Sequence, residues 1–283
     1  MQNSPVVKNM PPQECEPTSF RGDGAVASPH SESKREGQRH EQILKYIYLY
    51  TTGLCIMMVF WILFLPGSWL MGRFKLHDDF VLHAIGEHGV TPRDALTKYQ
   101  GHTLVHLTHI LPAALWAGVI PFQLYPSFRR NNPKIHRRLG YMFLICALLM
   151  SFGVLIILKR GLSFEHFFAD LPPEPISSQP FMVLLAMYFA WTALYSIQQA
   201  RNRKFADHQK WMIRHVSSGM WVAVQRFLLV TVYSSIYSAP VSQSTQRDIF
   251  TQAAVLGMVI SFVLGEYAVY SLSQQKNNSK KTF

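Results

Sequence analysis

Apolar side chains in this chain come in long unbroken runs, and the charged ones fall between the runs. Six stretches, approximately 44–66, 102–125, 139–158, 180–200, 212–237 and 249–272, are long enough to cross a hydrocarbon core of roughly 30 Å at about 1.5 Å of helix per residue. The first ends at Pro66-Gly67 and the fifth near Pro240, where proline's missing N–H punctuates a helix. The pattern predicts an all-α integral membrane bundle of about six transmembrane helices over 43–273, with cytosolic tails at 1–42 and 274–283. The first forty residues are rich in Pro, Ser, Glu and Lys/Arg and poor in large apolar side chains. Such a stretch cannot offset its ordering entropy, so it reads as a disordered tail. No apolar core appears before Ile43, which leaves targeting to the first membrane helix.

Composition and charge sharpen this picture. Of 283 residues 49% are hydrophobic and only 15% charged, well below the quarter usual in soluble domains. The net charge of +11 does not point to nucleic acid, because Lys and Arg sit in tails and short connections rather than along one face. Arg129, Arg130, Lys134, Arg137 and Arg138 lie between the second and third runs, and Arg201, Arg203, Lys204, Lys210 and Arg214 between the fourth and fifth. By the positive-inside rule these connections and both termini face the cytosol; the membrane concerned is not specified. Cys15, Cys55 and Cys146 form no CxxC or Cys/His spacing, so neither a zinc site nor a disulfide framework is implied. The connection 67–101 is long for a bundle and carries His77, His83 and His88, either as a cap over the outer mouth or as an ordinary amphipathic loop.

Polar groups at membrane depth carry the functional signal, because they are costly there and face the bundle interior. The second run holds His102, His106 and His109, whose four-and-three spacing stacks them on one helical face as a candidate metal set. Pro112 follows and cannot bond the Thr108 carbonyl, which predicts a kink beside His109. Arg226 in the fifth run falls at a matching depth, so His109, His106 and Arg226 form a candidate substrate pocket, with a structural post tying down carbonyls as the competing role for Arg226. Gln225 precedes Arg226 but points about 100° away on a regular helix. Near the cytosolic end, Gln123, His136, His208, His215 and Glu266 make a second candidate cluster.

Two chemistries follow. Imidazoles from facing helices can hold haem b or a transition metal, with His136 opposite His208 or His215 and Tyr141, Phe143 and Trp211 as walls. That reading makes the chain a redox-type membrane protein. Alternatively, His109 and Arg226 bind a lipid-like anion or a quinone in a non-enzymatic binding or transport protein, with the inner His/Glu set relaying protons. A third role is a structural subunit whose polar groups lock helices together. The partners implied are the lipid bilayer and a small hydrophobic or anionic ligand. No GxSxG elbow or HExxH sequence supports nucleophilic or zinc hydrolysis.

The stretch from His109 to Arg226 resembles an uncharacterised multi-pass membrane family, domain of unknown function 2306. The resemblance rests on His109, Gly118 and Gln123, then His136-Arg137-Arg138-Leu139-Gly140-Tyr141, then His208-Gln209-Lys210-Trp211-Met212-Ile213-Arg214, and finally Gln225-Arg226. It implies a multi-pass protein and leaves the activity open. A looser similarity is to six-helix transmembrane cytochrome b proteins that reduce iron or use ascorbate. This chain departs from them in lacking an outer partner histidine on the third to sixth runs.

Overall fold

The computed structural model describes residues 29–64, 70–83, 90–91, 93–168, 171–172, 177–237 and 241–281. Every regular element among them is helical. We number the helices α1 (Pro29–Phe64), α2 (Lys75–Val81), α3 (Arg93–Thr97), α4 (Thr103–Leu124), α5 (Pro126–Asn131), α6 (Pro133–Lys159), α7 (Gln179–Arg201), α8 (Phe205–Ile236) and α9 (Gln243–Lys281). Six of these, α1, α4, α6, α7, α8 and α9, are long and apolar enough to span a bilayer, which matches the hydrophobic runs. Backbone polarity explains the choice of structure, since in lipid each N–H and C=O must be satisfied inside its own segment.

The spans pack as a closed ring. α1 lies against α4, α4 against α6, α6 against α7, α7 against α8, α8 against α9, and α9 returns to α1. α8 also reaches across to α1. The short basic connections α4–α6 and α7–α8 turn their spans antiparallel at one end, where His40 of α1 also meets Ser271 of α9, so the ring has a terminal end and an opposite loop end. α4 is the most enclosed span, with 56% of its apolar window buried against 22% for α1. Outward-facing Ile56, Phe60, Phe152, Leu184, Met187, Val259 and Val263 stay exposed in a belt suited to acyl chains.

Close helix contacts rely on missing side chains. A Cβ at Gly153 of α6 would stand 2.7 Å from the His109 Cβ and 3.0 Å from the Thr108 carbonyl oxygen of α4. A Cβ at Gly257 of α9 would stand 2.7 Å from the Trp221 carbonyl oxygen of α8. Small residues at both crossings let the backbones meet, which is how membrane helices gain dispersion energy without a hydrophobic drive.

Two differences from the sequence expectations have physical causes. Helix α1 begins at Pro29, inside the stretch read as a tail, and its polar start is tied down where His40 Nδ1 lies 3.3 Å from Ser271 Oγ and the imidazole packs edge-on against Tyr270 of α9. Propensity arguments on a polar segment cannot see such a contact. The expected kink at Pro112 takes the form of a π-helical turn over His106–Ile110, where Leu111 N–H reaches the His106 carbonyl. Residues 1–28 and His88 lie outside the described residues.

The connection after α1 packs onto the loop end. Met71, Val81 and Leu96 form a small core of their own, and Val90 joins Leu229, Tyr233, Ile249 and Phe250 of α8 and α9. His77 Nε2 lies 2.7 Å from the Phe64 carbonyl oxygen, anchoring α2 to the end of α1.

Candidate functional site

α4 and α8 each carry a π-helical turn in the half nearer the loop end, His106–Ile110 and Leu229–Tyr233. Such turns widen the helix and redirect side chains, and they recur at functional sites. Here they flank Arg226, which is half-buried. Its guanidinium lies 5.9 Å from the Trp61 ring of α1 and 5.3 Å from the Phe250 ring of α9, both within cation–π range. Arg226 Nη1 donates to Gln225 Oε1 at 3.3 Å, while Gln225 Nε2 donates to the Phe250 carbonyl at 3.2 Å. Gln225 thus does not point away from Arg226 as a regular helix suggested. It is buried and links the guanidinium to α9.

The turn after α3 supplies what the sequence reading missed. Lys98 and Tyr99 lie close enough to Arg226 for its charge to act on both, and the Lys98 charge reaches His109 as well. Lys98 Nζ sits 4.6 Å above the Tyr99 ring. Burial, and secondly the Arg226 charge, push the Lys98 ammonium down to about 7. Burial pushes the Tyr99 phenol up to about 12, with Arg226 acting in the opposite direction. His109 Nδ1–H donates to the Met150 carbonyl of α6 at 3.1 Å, which leaves Nε2 without a hydrogen-bond partner among the described residues. None of the described carboxylates forms an ion pair with Arg226. The sequence clue to the missed pair was a lysine and tyrosine placed just before Gly101, in a connection whose charges otherwise nearly balance.

His102, His106 and His109 do not share one face. The π-turn sends His109 toward α6, whereas His102 and His106 line a cavity of about 220 Å³ at the loop end together with Arg73 and Gln100. Arg160 Nη1 donates to His102 Nδ1 at 3.0 Å. Among the described residues, no three His, Cys, Asp or Glu side chains are gathered to share a metal ion.

The expected inner cluster separates into three places. His215 is fully buried in an aromatic box of Trp116, Phe143 and Phe189, with ring centroids 4.3 to 5.7 Å away. Trp116 Nε1–H donates to His215 Nε2 at 3.1 Å, and His215 Nδ1–H donates to the Phe189 carbonyl at 3.0 Å with Thr192 Oγ1 at 3.2 Å. Both ring nitrogens are therefore used, and an iron bound at Nε2 would displace the Trp116 bond. His136 and His208 lie at the terminal end, where the Arg129 charge acts on both. His208 Nδ1–H donates to the Ser196 carbonyl at 2.9 Å, Gln123 Nε2 donates to the His136 carbonyl at 3.1 Å, and His136 Nδ1 is enclosed without a partner among the described residues. Glu266 is exposed and accepts two bonds from Arg214, at 2.6 and 2.9 Å, pinning α8 to α9 on the outer surface.

Comparison with known proteins gives one family. The family model described as a predicted membrane protein, DUF2306, matches residues 106–269, a segment that runs from His106 through the Arg226 site to the middle of α9. No curated protein and no solved structure matches the chain. With six helices fit to span a bilayer and more than half its length under that model, the chain belongs to the DUF2306 family of membrane proteins.

Proposed function

We propose that this protein binds a lipid-like anion inside the bundle, with the anionic head beside Arg226 and the apolar body along Trp61 and Phe250. The observation that carries the reading is a guanidinium at membrane depth whose only hydrogen-bond acceptor among the described residues is a neutral amide, Gln225. Burying a cation without an opposite charge costs several kcal/mol, by order of magnitude, and a ligand carboxylate would offset that cost. A second cation at Lys98 and the Tyr99 phenol lie within electrostatic reach of Arg226, and His109, with its open Nε2, lies within reach of Lys98. Of the chemistries expected from the sequence, binding has more support here than a haem held between His136 and His215, because His215 has no nitrogen to spare.

The test uses purified full-length protein in nanodiscs titrated with a fluorescent long-chain fatty acid. Arg226→Gln is expected to weaken binding about tenfold or more, the loss typical of a charge-assisted hydrogen bond, while thermal unfolding stays near wild type. Equal affinity in the two proteins would refute the proposal, and so would an Arg226→Gln variant that no longer folds beside an Arg226→Met variant that folds and binds as wild type does. As part of the same reading, the terminal end lies in the cytosol, which is supported by Arg129, Arg130, Arg137 and Arg138 on one side of the ring and Arg203 and Lys204 on the other.

A further inference from the structure

The terminal end gathers cations with little opposite charge. Segments 126–138 and 201–210, at the α4–α6 and α7–α8 connections, hold a single acid, Asp207. Among the described residues, none of Arg129, Arg130, Arg137, Arg138, Arg203 and Lys204 forms an ion pair. The two connections also meet. The Arg129 charge reaches His208 of α8, whose backbone N–H donates to the Lys204 carbonyl at 2.9 Å.

One of these cations is held in an unusual backbone conformation. α7 ends with Arg203 N–H donating to the Ala200 carbonyl and Lys204 N–H to the Gln199 carbonyl, at 3.0 and 2.9 Å, the pattern that closes a helix on a left-handed residue. That residue is ordinarily glycine, yet here it is Arg203, at φ +59. The other left-handed positions among the described residues, Gly72, Gly101 and Gly161, are glycines. Keeping a side chain at so strained a position points to a use for its guanidinium. Exposed Phe122, Tyr125, Ile135 and Phe205 lie close to these cations in sequence, which sets both connections at the bilayer interface. Arginines gathered at that depth suit phosphate, whose oxygens accept the parallel N–H groups of a guanidinium fork. Two phosphomonoesters carry a charge of about −3 to −4, which a singly charged headgroup does not supply.

We infer that the terminal end binds an anionic phospholipid of the surrounding bilayer, one whose headgroup carries two phosphomonoesters, through Arg129 and the Arg203–Lys204 turn. The inference is independent of the Arg226 reading, since none of the residues holding the headgroup belongs to that site. It needs the membrane spans and not the side of the membrane that the terminal end faces.

The test is thermal unfolding of the full-length protein in phosphatidylcholine nanodiscs that contain phosphatidylinositol bisphosphate or, at matched total negative charge, phosphatidylserine. A lipid that binds only the folded state raises Tm with its occupancy. The bisphosphate is expected to raise Tm well above the serine lipid, because a patch that only attracts charge responds to both alike. Arg129→Gln is expected to need about tenfold more bisphosphate for the same rise. Arg203→Gly gives the sharper reading. In phosphatidylcholine alone its Tm stays at or above wild type, since glycine relieves the turn, while its response to the bisphosphate weakens by a similar factor. An arginine kept only for the fold would not separate the two. The inference fails if the bisphosphate does not move Tm, if phosphatidylserine stabilises as strongly, or if either variant responds as wild type does. A lower Tm for Arg203→Gly in phosphatidylcholine alone would also count against it.

Discussion

For a single residue, what each polar atom is bonded to decides whether it holds the bundle together or is left for a ligand. His215 shows the structural extreme. Replacing it with Ala removes a buried ring from the aromatic box and strands the Trp116 indole N–H, two losses that together cost about 3 kcal/mol or more, measured as a clear drop in Tm. Lys98 shows the functional extreme, and its pH response has a definite sign. Its folded value of about 7 is far below that of an exposed lysine, so the unfolded chain holds more protons over that interval and stability rises with pH across it. Ligand affinity runs the other way. An anion favours the ammonium, so binding weakens as pH climbs from about 6 to 9, and proton uptake accompanies binding near neutrality. Among the described residues, the groups that act on this ammonium include Arg226 on α8, His109 on α4 and Tyr99, whose phenol stays neutral below about 12. Lys98→Met is expected to flatten the affinity profile, and a profile that keeps its slope in that variant would assign the titration elsewhere.

At the scale of elements, helix contacts place the site. Gly153 lets α6 approach the π-turn of α4 until the Met150 carbonyl accepts from His109. Gly153→Leu should separate the two helices, costing about 1–3 kcal/mol of stability and weakening ligand binding together, as read by Tm and titration. Gly257→Leu, at the α8–α9 crossing, should perturb the Gln225 link between Arg226 and α9 in the same fashion. Much of this level was legible beforehand. Apolar runs located all six spans. Regular-helix geometry failed where the backbone is irregular: a π-turn turned the expected His102, His106 and His109 face into two separate surfaces. The inner cluster failed for a different reason. Depth alone cannot distinguish His215, which points into the core, from Glu266, which points out toward Arg214, because the angle around the helix is set by neighbours the sequence does not identify.

At the scale of the whole molecule, a ring of spans encloses cations near one end and displays them in the connections at the other. The connecting segment after α1, read as either a cap or a surface loop, brings the half-buried Lys98 and Tyr99 within electrostatic reach of Arg226 and lines the cavity at the loop end with Arg73. Its own apolar anchors, Val90 against α8 and α9 and the Met71, Val81 and Leu96 core, explain why it stays on the bundle. Topology is testable at this scale. Single cysteines introduced in a Cys-free background at Arg130 and Arg203 should react with an impermeant maleimide only after the cytosolic face is opened, and one at Leu76 should react from the opposite side. Labelling of Arg130 and Leu76 positions from the same side would contradict the six-span ring. Convergence of groups from distant parts of the chain on one ligand at membrane depth is read out by a double-mutant cycle of Lys98→Met and Arg226→Gln on fatty-acid affinity. Convergence predicts a coupling well above the roughly 0.3–0.5 kcal/mol scatter of independent sites. Losses that simply add, in proteins that unfold like wild type, would mean the two cations never meet the same ligand.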